Sequence, residues 1–248
     1  MRPLAQGSRP NRSGQVVAWA FTGREGGVSE PPFASLNLAH HVGDEPTAVR
    51  VNRDRAGSIL GLDAGALAVV NAAHGAEVAE VHGPGEVAGV DGLVTTQTAL
   101  GLLALAADCV PLALMDVEQG VIAAVHCGWR GIGAGIVPAT VARMRCSGAV
   151  KVEAIIGPRV CASCYPVGAD RIDELRRSTD AEIAEAACLR QGDGWCIDVG
   201  AGVRTQLMQL GIRASSIDRC TFEDPELFSY RRDRITGRHG VLVAMRAP

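Results

Sequence analysis

A chain of 248 residues with 47% hydrophobic and 21% charged residues is long enough to bury a sizeable core, and it carries no low-complexity tract that would mark disorder. Its net charge of −3 supplies no overall basic field, which argues against nucleic acid as a partner. Asp108 and Pro111 interrupt the longest apolar stretch, residues 99–115, which falls short of the roughly 20 residues of a membrane helix; the run Val16 to Phe21 is too short for a signal peptide, so a cytoplasmic protein with no membrane partner is expected.

Residues 1–14 are polar and basic and are expected to form a flexible segment ahead of one domain over residues 15–248. Gln15 to Phe21 reads as a first strand. The glycines, prolines and turn formers of TGREGGVSEPPFASLNLAHHVGDEP then predict a long irregular loop, of a length that is often functional. Asp44 is placed to cap a helix with Pro46 in its first turn, Val49, Ala56, Ile59 and Leu60 on its apolar side, and Gly61 at its end. Leu67 to Val70 is a short strand running into Asn71-Ala72-Ala73-His74-Gly75, so His74 sits where a strand opens into a turn. Taken alone, such a histidine reads as a hydrogen-bonded strand end rather than a metal ligand. Gly83-Pro84-Gly85 turns the chain, Asp91-Gly92 opens the next segment, and residues 100–106 predict another strand.

The stretch GLLALAADCVPLALMDVEQGVIAAVHCGWRG, residues 101–131, is the centre of the chain. Leu112 to Met115 and Val121 to Val125 read as strands buried on both faces, joined at Glu118-Gln119-Gly120 into a hairpin that brings Cys109 and His126 to the same end. An even register offset puts both on one face, where diagonal neighbours lie roughly 7–8 Å apart and can reach one ion; an odd offset separates them, and the turn residues leave the choice open. Gly128-Trp129-Arg130-Gly131 then reads as a tight turn before a helix over residues 132–144. Its amino end, with Arg130 beside it, is either an anion site or simply packing at the hairpin end. Residues 151–156 predict a strand, residues 167–177, 180–190 and 201–210 helices, and residues 196–199, 217–222 and 240–245 further strands. Strands and helices mixed in this way around an antiparallel hairpin indicate an α/β single domain with a mixed, partly antiparallel sheet and flanking helices.

The eight cysteines are expected to be reduced thiols in a chain with its own core. Cys161 and Cys164 form one CxxC, but no second ligand pair stands at the spacing of a zinc ribbon or finger, so they read as buried free thiols. In SYRRDRITGRHG the cluster Arg231, Arg232, Arg234, Arg238 and His239 is either a solvated loop or a phosphate site.

Several separated blocks converge on one family: GGVS, SLNLAHHVGDEP, HG at position 74, DGLVT, ALAADCVPLAL, AAVHCGWRG, IGPRVCASCY, CTFEDPELFSYRRD and GRHG. In order and over nearly the whole chain they resemble the YfiH-like, laccase-domain family. The resemblance implies a single α/β domain in which His74, Cys109 and His126 bind a metal, zinc or else copper, with an open fourth position suited to catalysis. It further implies phosphorolysis of adenosine, inosine and S-methyl-5'-thioadenosine, with some adenosine deamination. Purine nucleoside and phosphate are then the partners, and Asn37, Arg130 and Arg231 the candidates for holding them. Asp108 is the candidate catalytic proton carrier, or a carboxylate orienting His74 or His126. Ala72 and Ala73 stand where the family usually has Gln-Val, Cys127 where it has Ala, and Pro166 where Glu is common. Three competing readings remain: a cysteine-type hydrolase using Cys109 and His126, a copper-dependent polyphenol oxidase, for which two histidines and a cysteine are too few ligands, and a non-catalytic module with a structural zinc.

Overall fold

The computed structural model describes residues 2–247, and in it Val110–Asp116 and Val121–Cys127 form the expected hairpin, pairing antiparallel from Val110 opposite Cys127 to Asp116 opposite Val121. Both strands are buried on both faces, and their residues alternate between two cores. Val110, Leu112 and Leu114 point to one core with Val121, Ala123, Val125 and Cys127, while Ala113, Met115, Ile122 and Ala124 point to the other. The hairpin is central in a six-stranded mixed sheet of order Ala214–Ser216, Glu153–Ile156, Val110–Asp116, Val121–Cys127, Gly92–Thr95, Val78–Glu80.

A second six-stranded mixed sheet has the order Ala5–Pro10, Val16–Phe21, His239–Arg246, Gly101–Ala106, Leu67–Asn71, Gly85–Ala88. The two sheets share the core of Val17, Phe21, Leu102, Ala104, Val241 and Val243 with the inward residues of the hairpin. On the outer face of the hairpin sheet pack the helices Ile136–Cys146 and Val199–Gln209; on the outer face of the other sheet lie Leu36, Leu38 and the helix Pro46–Ser58 through Ala56. The single α/β domain with mixed sheets is therefore as expected, with two such sheets face to face. A small three-stranded sheet, Pro166–Val167, Gly194–Ile197 and Cys188–Gln191, completes the sheets among the described residues.

Several local expectations are corrected. Residues 5–10 of the segment expected to be flexible form an edge strand on Val16–Phe21, because backbone pairing needs no apolar side chains and its outer edge stays in solvent. Asp44 does not cap the Pro46–Ser58 helix, whose N-cap is Glu45; its carboxylate accepts from Ser29 Oγ at 2.6 Å and Asn37 Nδ2 at 2.8 Å and holds the long loop. The expected turn at Trp129 is already helical over Trp129–Ala134, and Gly135 at φ 81° breaks it from the next helix. Residues 217–222 make only an isolated bridge, Arg159 to Cys220, beside the short strand Ala214–Ser216.

Candidate metal centre and cavity

The hairpin register extends to Cys109 opposite Gly128, two positions from His126 on the same strand, so the offset is even and both side chains point between the two sheets. His74 comes from the other sheet, just past the end of Leu67–Asn71, at φ 61°. One donor atom from each of His74, Cys109 and His126 lies within 4.8 Å of the others, and the two imidazoles meet edge to face with centroids 4.7 Å apart. A Cβ on Gly128 would lie 3.3 Å from His74 Cδ2, 3.4 Å from Cys109 Sγ and 3.6 Å from His126 Cε1, so glycine leaves the three side chains room to close on an ion.

Asp91 orients this group. Fully buried, it accepts the backbone N–H of His74 at 3.0 Å and of Gly75 at 2.7 Å, and its Oδ1 lies 2.8 Å from His126 Nδ1. That contact leaves His126 Nε2 to face Cys109, an arrangement with a carboxylate behind the imidazole that would suit a metal-binding histidine. Burial pushes the Cys109 thiol up, but the charge of His126 and hydrogen bonds from both histidines outweigh it and hold it at about 6. Burial likewise opposes charge on His126, which the Cys109 thiolate and Asp91 raise to about 10. A thiolate is thus already favoured, and with two imidazoles it is a donor set that suits zinc, leaving a fourth position open.

The centre opens on a cavity of about 630 Å³. Arg171, Arg231, Arg234 and Arg238 line it, with the aromatic rings of Trp129, Tyr165 and Tyr230 and with His41 and Asn71. The Arg231 guanidinium is steered by the Pro166 carbonyl and lies 4.9 Å over the Tyr165 ring. Cys127 faces the helix-side core, away from the donors, so this departure from the family pattern changes packing rather than ligation. Ala72 lies on the cavity wall.

Arg231 is therefore at the site, whereas two other expected binding residues are elsewhere. Arg130 lies outside the cavity lining, its guanidinium against Glu174 at 3.3 Å and over the Trp129 ring at 4.6 Å, because the helix that begins at Trp129 turns it outward. Asn37 is fully buried, its amide bonded to Ala39, Asp44 and the backbone N–H of Arg238, so it shapes the loop. Asp108 lines the cavity at φ 102°, but it accepts from Thr221 Oγ1 at 2.7 Å, Ser229 Oγ at 2.6 Å and Arg231 N at 2.6 Å. Its oxygens hold the chain that carries Arg231, and the orienting of His74 and His126 belongs to Asp91. The sequence signal for Asp91 was its place in DGLVT, where it reads equally as the opening of a turn.

Both the sequence and the fold have counterparts among known proteins. A family profile described as multi-copper polyphenol oxidoreductase laccase matches residues 18–246. The purine nucleoside phosphorylase of Streptomyces coelicolor is 45% identical over 228 residues, covering 89% of this chain and 92% of its own. The purine nucleoside phosphorylase YfiH of Shigella flexneri is 35% identical, covering 90% and 91%. The crystal structure of YlmD from Geobacillus stearothermophilus superposes with a TM-score of 0.85 at 30% identity, covering 100% of this chain and 98% of that one. With the donor triad, the motif blocks and the fold all in agreement, the chain belongs to the YfiH-like, laccase-domain family.

Proposed function

We propose that this chain is a zinc-dependent purine nucleoside phosphorylase acting on adenosine, inosine and S-methyl-5'-thioadenosine, with adenosine deamination as a side activity. One observation carries the reading: three metal donors and four arginines converge on one cavity in a chain of net charge −3. Phosphorolysis breaks the bond from the ribose carbon to the purine nitrogen, forms a bond from that carbon to a phosphate oxygen, and leaves the base to take a proton. The site must therefore hold a polyanion beside the sugar and seat a flat heterocycle. Arg231, with Arg171, Arg234 and Arg238, supplies fixed positive charge in a form suited to phosphate oxygens, and Tyr165, Tyr230 and Trp129 supply faces for the base. His74, Cys109 and His126 would hold zinc, which supplies Lewis-acid polarisation when bound. The names of the Streptomyces and Shigella relatives support the same activity.

The cysteine hydrolase is the second reading, favoured by Asp91, His126 and Cys109 standing in the order orienter, base and nucleophile. Purified protein given adenosine separates the two. The phosphorylase yields adenine and ribose 1-phosphate only when phosphate is supplied, while phosphate-independent adenine points to hydrolysis and inosine reports the deaminase. Arg231→Ala should lower the phosphate-dependent rate about tenfold to a hundredfold, since a charged hydrogen bond is worth about 1.5–3 kcal/mol, and should leave the zinc in place. Arg130→Ala should leave the rate unchanged. Equal effects from the two replacements would sink the assignment of Arg231.

A further inference from the structure

A second cluster of metal-binding side chains lies outside the cavity lining. Cys161, Cys164, Cys220 and Glu223 each offer a donor atom, all within 4.8 Å of one another. The CxxC lacked a partner pair in the sequence because that pair is CTFE, far along the chain, and its second member is a carboxylate. The backbone brings the two together: Arg159 bridges Cys220 in parallel, Arg159 N donates to Arg219 O at 3.2 Å, and Thr221 N donates to Arg159 O at 3.0 Å. The short helix Ala162–Cys164 then turns Cys164 back toward Glu223, with Sγ 3.4 Å from Oε1. Cys161 N donates to Cys220 Sγ at 3.3 Å, which ties the two straps together at the cluster. All three cysteines are free and partly buried, and Glu223 is the exposed member of the cluster.

We propose that Cys161, Cys164, Cys220 and Glu223 form a second, structural zinc site that fastens two walls of the cavity to each other. Four protein donors dominated by sulfur make a closed site, unlike the three-donor centre at His74, Cys109 and His126. Tetrahedral ligation at Zn–S distances of about 2.3 Å sets the sulfurs about 3.8 Å apart, which lies within the 4.8 Å that bounds the donor-atom separations of the cluster. Binding displaces the thiol protons to solvent and changes no oxidation state. One strap leads directly to Tyr165, on which Arg231 lies, and the other to Thr221, which holds Asp108. The zinc would thus fix the spacing of the arginine-bearing wall without touching substrate.

The test is zinc counting by native mass spectrometry on protein grown with added zinc and purified without chelator, beside Cys109→Ala and Cys220→Ser. Two zinc ions per parent chain and one in each variant are expected. A single zinc in the parent that disappears in Cys109→Ala overturns the proposal, as does a parent mass lower by two hydrogens with a disulfide mapped among Cys161, Cys164 and Cys220. Should Cys220→Ser fail to fold, alkylation of the parent decides. Cys161, Cys164 and Cys220 should be protected together and become reactive together when a chelator is added, with exposed Cys146 reactive throughout. Reactivity unchanged by the chelator overturns the site.

Discussion

Asp91 holds His126 and the His74 turn at once, so the geometry of the candidate metal centre depends on a carboxylate outside the donor triad. Asp91→Asn keeps the shape but removes the charge behind His126. Zinc affinity at that centre should fall about tenfold to a hundredfold, measured by competition with a chromophoric chelator. Unchanged affinity would show that the His74 turn sets itself without this carboxylate. His239 is a different case, fully buried, nearly parallel to Phe228 at 6.5 Å, with no hydrogen-bond partner on either ring nitrogen among the described residues. Burial, with the charge of Arg238 beside it, lowers its pKa from 6.5 to about 3. The folded protein therefore keeps the ring neutral while the unfolded chain takes up a proton. Stability from this residue is present above about pH 6.5 and is lost progressively as the pH falls toward about 3. Between about pH 7 and pH 5 that loss is on the order of 2 kcal/mol, and His239→Phe should remove it. Urea unfolding at the two pH values checks the sign, and parallel pH dependence in parent and variant would contradict it.

At the scale of elements, Asp108 joins the start of the Val110–Asp116 strand to the short helix Tyr230–Asp233, through Ser229 Oγ and Arg231 N. Loss of these bonds and that to Thr221 in Asp108→Ala should cost about 3 kcal/mol, since hydrogen bonds to a charged group are worth about 1.5–3 kcal/mol each and do not sum fully. The backbone at φ 102° adds a second expectation. Asp108→Gly, which loses the same bonds but fits that conformation, should be more stable than Asp108→Ala by about 1 kcal/mol. The reverse order in thermal or urea unfolding would show that the conformation relaxes when the side chain is removed.

Across the whole molecule, the two six-stranded sheets cohere through side chains that reach from one to the other. Phe21, in the Val16–Phe21 strand, is fully buried, and a Cβ on Gly157, which follows Glu153–Ile156 of the opposite sheet, would meet its Cε1 at 2.4 Å. Phe21→Ala should cost about 3–5 kcal/mol and lower the stability of both sheets together in one transition. Hydrogen exchange resolved by strand checks this, and loss of protection in the Val16–Phe21 sheet alone would divide the domain in two.

The sequence by itself determined the hairpin and most of the long strands, because continuous apolar runs need burial on both faces, while the triad His74, Cys109 and His126 came from the family resemblance of the HG, ADCVP and HCGWRG blocks, and the structure brings those three side chains together. It also placed His74 at a strand end, which is where the structure has it. The hairpin offset was left open by the turn residues. Only the pairing of Val110 with Cys127 decided that Cys109 and His126 share a face. Arg130 and Arg231 could not be told apart by composition, since what separates them is the helix that carries Arg130 away and the Asp108 contact that holds Arg231 in. Cys161 and Cys164 lacked partners for the same reason. Their partners are supplied by a parallel bridge between distant segments, and contacts made through tertiary packing leave no periodicity in the chain that makes them.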